Sequence, residues 1–171
     1  MKFLAVCTIL LTFSFSALAN WCDRSYRHEN FWISAASSFG ESVSKNIFVD
    51  EMCWRLGKQY GAKIVSNNNR NSKACTEAFR LGKEDGLKAI TQNNDFPVEC
   101  YNAGMRYGIS TLISNARIGK DTVSSSGCVK SYQSGLKDGK ADIVAQPGME
   151  KVEYVCYMGG FQDGALFRGL L

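Results

Sequence analysis

Histidine is nearly missing from this chain: His28 is the only one. A metal site built on two histidines is therefore excluded, and a serine or cysteine triad has a single candidate base. No G-x-S-x-G turn and no serine in a nucleophile motif accompanies it, so His28 reads as a surface or packing residue. Close cysteine pairs are missing as well. Beyond the N-terminal segment the nearest two, Cys53 and Cys75, stand 22 residues apart, whereas thiolate zinc sites need spacings such as C-x2-C. No long apolar run follows the N-terminal segment, which leaves no transmembrane span after it. The net charge of +4 is spread without a basic block, which argues against nucleic acid as a partner. The G-x3-G pairs lack the G-K-[ST] ending of a phosphate loop, and no EF-hand loop pattern occurs.

What is present begins with MKFLAVCTILLTFSFSALA. One lysine precedes an apolar stretch that closes on Ala17-Leu18-Ala19, so Met1 to Ala19 reads as a cleaved signal peptide and the protein as secreted or periplasmic. Residues 20–171, from a chain that is 45% apolar, are long enough for a single domain with its own core. Cys22, Cys53, Cys75, Cys100, Cys128 and Cys156 remain, an even number in an exported chain, and predict three disulfides.

Alignment on these cysteines exposes a repeat. Cys22, Cys75 and Cys128 are 53 residues apart, and each is followed four residues later by an aromatic, Tyr26, Phe79 or Tyr132. The second and third copies continue as CTEAFRLGKEDG and CVKSYQSGLKDG, whereas the first, CDRSYRHENFWI, has Glu29 and Ile33 in place of the glycines. Cys53, Cys100 and Cys156 open a second series, CWRLGKQYG, CYNAGMRYG and CYMGGFQDG. Spacings of four, seven, eight and eleven fall on one helical stripe. The expected fold is therefore all-α: three tandem two-helix units, approximately 20–72, 73–125 and 126–171, stapled by disulfides. Helices are expected near Cys22 to Ser44, Glu51 to Val65, Lys73 to Ile90, Val98 to Ser114, Cys128 to Val144 and Glu150 to Leu170, bounded by cap-rich segments such as SNNNRNS and TQNNDFP.

A glycine inside a helix costs roughly 1 kcal/mol relative to alanine, so a repeated Gly-xxx-Gly face needs an offsetting contact. Close approach of a neighbouring helix supplies one. Tyr26, Phe79 and Tyr132 are expected in or near grooves made by the Gly57, Gly104 and Gly160 series. Six cysteines allow 15 pairings; repeat symmetry favours Cys22 with Cys53, Cys75 with Cys100, and Cys128 with Cys156. Each cysteine lies near the start of its helix, so antiparallel neighbours would hold the partners apart. Either the helices cross steeply, or the loops bring the chain back beside its own helix.

Asp85, Asp138 and Asp163 fill one position of the recurring G-x-x-D-G motif. Converging, they would make a ligand-binding, calcium or general-acid cluster; as repeated residues they more often pack or pair with basic neighbours. Glu29 with Asp23 or Glu41 is a further carboxylate pairing, without distinctive spacing. Trp54, Tyr101 and Tyr157, each directly after a cysteine of the second series, read as packing residues. CWRLGKQYG is similar to the cysteine, leucine-glycine, tyrosine-glycine helix of disulfide-bridged Sel1-like helical repeat proteins; the 53-residue period and the second glycine helix depart from that family. The sequence thus points to an exported, non-enzymatic helical-repeat protein that binds another protein without a cofactor. The alternatives are a carboxylate-based envelope hydrolase and a small-ligand or calcium-binding module.

Overall fold

A computed structural model describes residues 22, 27–43, 50–68, 72–91, 97–117, 125–143 and 151–169. The leader Met1 to Ala19, Tyr26 and the intervals 92–96 and 144–150 lie outside the described residues. Among the described residues the regular elements are all helices: α1 (Arg27–Ser37), α2 (Glu51–Asn67), α3 (Ser72–Lys88), α4 (Val98–Arg117), α5 (Ser125–Ala141) and α6 (Lys151–Gly169).

Local chemistry sets the ends. The Asp50 side chain accepts from the Met52 and Cys53 N–H groups at 3.2 and 3.1 Å and caps α2. The Pro97 carbonyl accepts from the Cys100 and Tyr101 N–H groups at the start of α4. Three helices close with a left-handed residue and a bond reaching back five residues: Gly40 (φ 88°) with Glu41 N–H to Ala36, Ala89 (φ 50°) with Ile90 N–H to Asp85, and Asp142 (φ 58°) with Ile143 N–H to Asp138. The first of these corrects the expected Cys22 to Ser44 helix. Its observed extent is Arg27–Ser37, because the chain turns at Gly40 and Cys22 precedes the helix.

The cysteines pair as Cys22–Cys53, Cys75–Cys100 and Cys128–Cys156, with Cα separations of 5.4, 5.3 and 5.2 Å. The difficulty of placing helix starts together is resolved by direction. A Cβ built on Gly104 would meet Phe79 O, and one on Gly108 would meet Lys83 O. Contacts therefore advance together along both chains, so α3 and α4 run parallel from their shared disulfide. Gly160 with Tyr132 and Gly164 with Leu136 give the same direction for α5 and α6, and Gly57 with Phe31 and Gly61 with Ala35 give it for α1 and α2. A 17-residue helix such as α3 is about 25 Å long, and the connector 89–97 reaches roughly 30 Å when extended. The return loop is therefore long enough to carry the chain back to the starting end.

The close approach is systematic. Ten helical glycines, two on α2 and two on each of α3 to α6, would place a Cβ 2.0 to 2.4 Å from a carbonyl oxygen of the paired helix. The Cα–H bond that replaces Cα–Cβ thus points at that oxygen, the geometry of a Cα–H···O=C contact. Helix α1 has no glycine in this role. Ser34 and Ser38 stand there instead, with the Ser34 hydroxyl turned back onto the Phe31 carbonyl at 2.9 Å. In this first pair Phe31 takes the place that Phe79 and Tyr132 take in the others.

Around these pairs the core forms on α1 and the turn after it, where Phe31, Trp32, Ala35, Ala36 and Phe39 are all buried. Phe39 stacks on Phe79 at 4.2 Å, and Phe31 meets Phe167 edge-on at 5.3 Å. Each such side chain contributes roughly 1.5–3 kcal/mol on burial. Helix α4 is central, touching α1, α2, α3, α5 and α6, and Ile109 seats against Gly159. No helix among the described residues is long and apolar enough to cross a membrane.

Two glycine substitutions separate close approach from backbone conformation. Gly40→Ala has open space around its Cβ and is expected to lose about 1–2 kcal/mol through left-handed strain alone. Gly104→Ala would set a Cβ 2.0 Å from Phe79 O and is expected to lose about 3 kcal/mol or more by forcing the pair apart. Denaturant midpoints of the two variants check the order.

Candidate functional site

The three repeated aspartates do not share a site. Asp85 on α3 is buried and accepts a 2.6 Å hydrogen bond from the Tyr101 hydroxyl of α4. Asp138 on α5 accepts one of 2.9 Å from the Tyr157 hydroxyl of α6. These two arrangements correspond, since each links the motif aspartate to the aromatic directly after the second cysteine of its pair. The first pair lacks both the tyrosine and the aspartate: Trp54 follows Cys53, and Ser37 occupies the aspartate's place and donates to Ser34 O at 2.6 Å.

Asp163 is different in kind. Its G-x-x-D-G lies on the second helix of a pair, seven residues after Cys156, where the other pairs have Tyr60 and Tyr107. In those pairs the ring faces an aromatic across the helix contact, Phe31 with Tyr60 at 5.6 Å and Phe79 with Tyr107 at 6.1 Å. In the third pair the aromatic is Tyr132, and its hydroxyl donates to Asp163 Oδ2. Trp32 of α1 donates its Nε1–H to the same oxygen at 3.1 Å, and Arg106 of α4 places Nε 3.3 Å from Oδ1. A single acid standing where its counterparts are tyrosines therefore gathers groups from α1, α4 and α5.

Burial is nearly complete, with the Asp163 side chain 1% exposed and Arg106 12% exposed. Removal from water pushes the Asp163 carboxyl above its ordinary range, while Arg106 and the Tyr132 and Trp32 donors oppose the shift. The Arg106 guanidinium also lies 5.3 Å from the Trp32 ring centre, within cation–π range, and its Nε reaches Gln162 Oε1 at 3.3 Å. Burial raises the Tyr60 phenol above its ordinary value, and the neighbouring Arg106 opposes the shift. His28 is buried with its ring 5.5 Å from Tyr132, so of the two expected places, surface or packing, it does not take the surface one.

Arg106 separates this buried network from the outside. It lies in the wall of a cleft of about 820 Å³ between α2, α4 and α6, within the size range of ligand sites. Leu56, Ile64 and Leu166 give the cleft apolar walls, and Lys63, Glu99 and a set of side-chain amides give it polar ones. The cleft exists because α2 buries only one stripe, Cys53, Gly57, Gly61 and Ile64, against its neighbours. The sequence reading grouped Asp163 with Asp85 and Asp138 and passed over Arg106 and Tyr60. The signal that could have found this site was the break from tyrosine to aspartate in the series Tyr60, Tyr107, Asp163.

Two outcomes are expected from this network. Tyr132→Phe removes a donor to a buried carboxylate and should cost about 2 kcal/mol of stability. Because the Asp163 pKa is raised in the folded state, the folded chain holds a proton that the unfolded carboxyl releases above about pH 4. Its contribution is full below that pH and is lost as pH rises through the raised value. The stability of the wild type relative to Asp163→Asn should therefore fall across this window, as denaturant melts at a series of pH values would reveal.

No protein-family model, curated protein or solved structure matches the chain, so the likeness of CWRLGKQYG to Sel1-like helices stays confined to that segment.

Proposed function

We propose that this is an exported, non-enzymatic protein that binds another protein, built from three tandem two-helix units packed through Gly-xxx-Gly faces. The observation that carries this reading is the cleft between α2, α4 and α6, open to solvent yet framed by disulfide-linked helix pairs. A preformed concave surface on a stiff framework lowers the ordering cost of association. Three disulfides suit an oxidising compartment, in keeping with a secreted or periplasmic location.

The carboxylate hydrolase is the weaker reading. Glycoside hydrolysis needs two carboxyl groups flanking one bond, and the lining of this cleft carries a single one, Glu99. Asp85 and Asp138 accept tyrosine hydrogen bonds elsewhere, and Asp163 lies behind Arg106. The small-ligand or calcium-binding reading would gain support from convergence of Asp85, Asp138 and Asp163, and each of these accepts from a tyrosine of its own, Tyr101, Tyr157 or Tyr132.

The test is capture from envelope extract by the immobilised mature protein, followed by calorimetry with the purified captured protein. Stoichiometric binding is expected for the native form. Reduction should abolish it, because opening a staple such as Cys75–Cys100, 25 residues apart, removes about 3 kcal/mol. Absence of any stoichiometric partner, or equal binding by the reduced chain, would sink the proposal.

A further inference from the structure

We infer that the cleft between α2, α4 and α6 holds the C-terminal tail of a protein partner. The terminal carboxylate is clamped by Arg106, and the last side chain is apolar and set among Leu56, Ile64 and Leu166. This deepens the protein-binding reading and rests on it.

The donor inventory of Arg106 is the starting point. A guanidinium has five N–H donors, and the contacts to Asp163 and Gln162 both involve Nε. The terminal nitrogens remain for whatever enters the cleft, whose wall Arg106 forms. Paired terminal N–H groups match a carboxylate in bidentate fashion. The arginine is also preorganised: its guanidinium carbon lies over the Trp32 ring, and Asp163 and Gln162 hold its Nε. Little side-chain freedom is therefore lost on binding.

The cleft favours a chain end over an acidic side chain. Its apolar walls lie beside the guanidinium, and a C-terminal apolar residue brings a carboxylate and an apolar side chain on one Cα. Aspartate or glutamate brings only the first. Two cations, Lys63 and Arg106, and one acid, Glu99, line the cleft, a balance that receives an anionic end. Asp163 pairs with Arg106 at Nε from behind the wall, so the terminal N–H groups and Lys63 are what receive that end.

The remaining wall suits a peptide backbone. Gln59, Asn67, Asn102 and Gln162 line the cleft from all three helices. Each amide offers a donor and an acceptor, the pair that an extended chain presents at every residue. Glu99 and Arg106 are two turns apart on α4, about 10 Å, the span of roughly three extended residues. With its carboxylate on Arg106, the tail therefore brings its third residue upstream to the level of Glu99, where a basic side chain is favoured.

The experiment uses the labelled mature protein on arrays of hexapeptides with apolar last residues, made with free and with amidated C-termini. The best sequences are then measured in solution with free and acetylated N-termini. Free-carboxylate peptides should bind at least about tenfold more tightly than their amides, and acetylation should make no difference. Lys63→Glu, an exposed substitution that spares the core, should weaken binding several-fold. Equal binding of acids and amides, binding to neither, or loss on acetylation would overturn the inference, the last by pointing to free short peptides. If the partner captured from envelope extract stays bound in excess of the best peptide, the tail inference fails while the protein-binding reading survives. Displacement of that partner by the peptide supports both.

Discussion

Helix backbones in this protein touch, and nearly everything else follows from that contact. A carbonyl oxygen 2.0 to 2.4 Å from where a Cβ would stand leaves no room for any residue but glycine. The disulfide at the head of each pair fixes the axial register, so each glycine comes opposite its carbonyl rather than half a turn away. Parallel direction is the consequence, since antiparallel helices would put the two cysteines at opposite ends. Parallel direction in turn requires enough chain between paired helices to span the length of a helix. Sulfur, glycine and loop length are thus one solution to a single geometric problem.

Contacts this short also limit how the pairs can move. Sliding by a fraction of a turn would drive carbonyls into backbone, so each pair behaves as a rigid rod. Adjustment is left to the looser contacts between pairs, where packing is through side chains. Phe39 on Phe79, Phe31 on Phe167 and Lys83 with Glu41 at 2.6 Å join different pairs. The cleft opens at such a junction, with α2 on one side and α4 and α6 on the other.

The candidate site arises where a regular pattern is interrupted. Replacing an aromatic partner with Asp163 buries an ionisable group at the meeting of several helices, and burial without partners would be costly. Trp32, Tyr132 and Arg106 meet that cost together. Arg106 in turn is held in place at the cleft wall. Regular positions such as Asp85 with Tyr101 and Asp138 with Tyr157 recur because their packing recurs; Asp163 does not recur.

The sequence by itself determined that the chain is helical, where most helices begin, and that the cysteines form three disulfides. All of these depend on spacing along one chain: the 3.6-residue stripe, cap residues, and the even cysteine count. The register of the first unit was not legible. Ser34 and Ser38 replace glycines there, and the helix starts five residues after Cys22, so cysteine alignment pointed to Tyr26 where Phe31 stands. Parallel direction was open for the same reason, since periodicity along a helix is identical for both orientations of its neighbour. Tertiary structure alone decided that three similar aspartates would have different fates, and that Trp32, Tyr60, Arg106 and Asp163 would meet. Burial and charge pairing depend on which faces the helices turn toward one another, a property of the assembled core that no single segment carries.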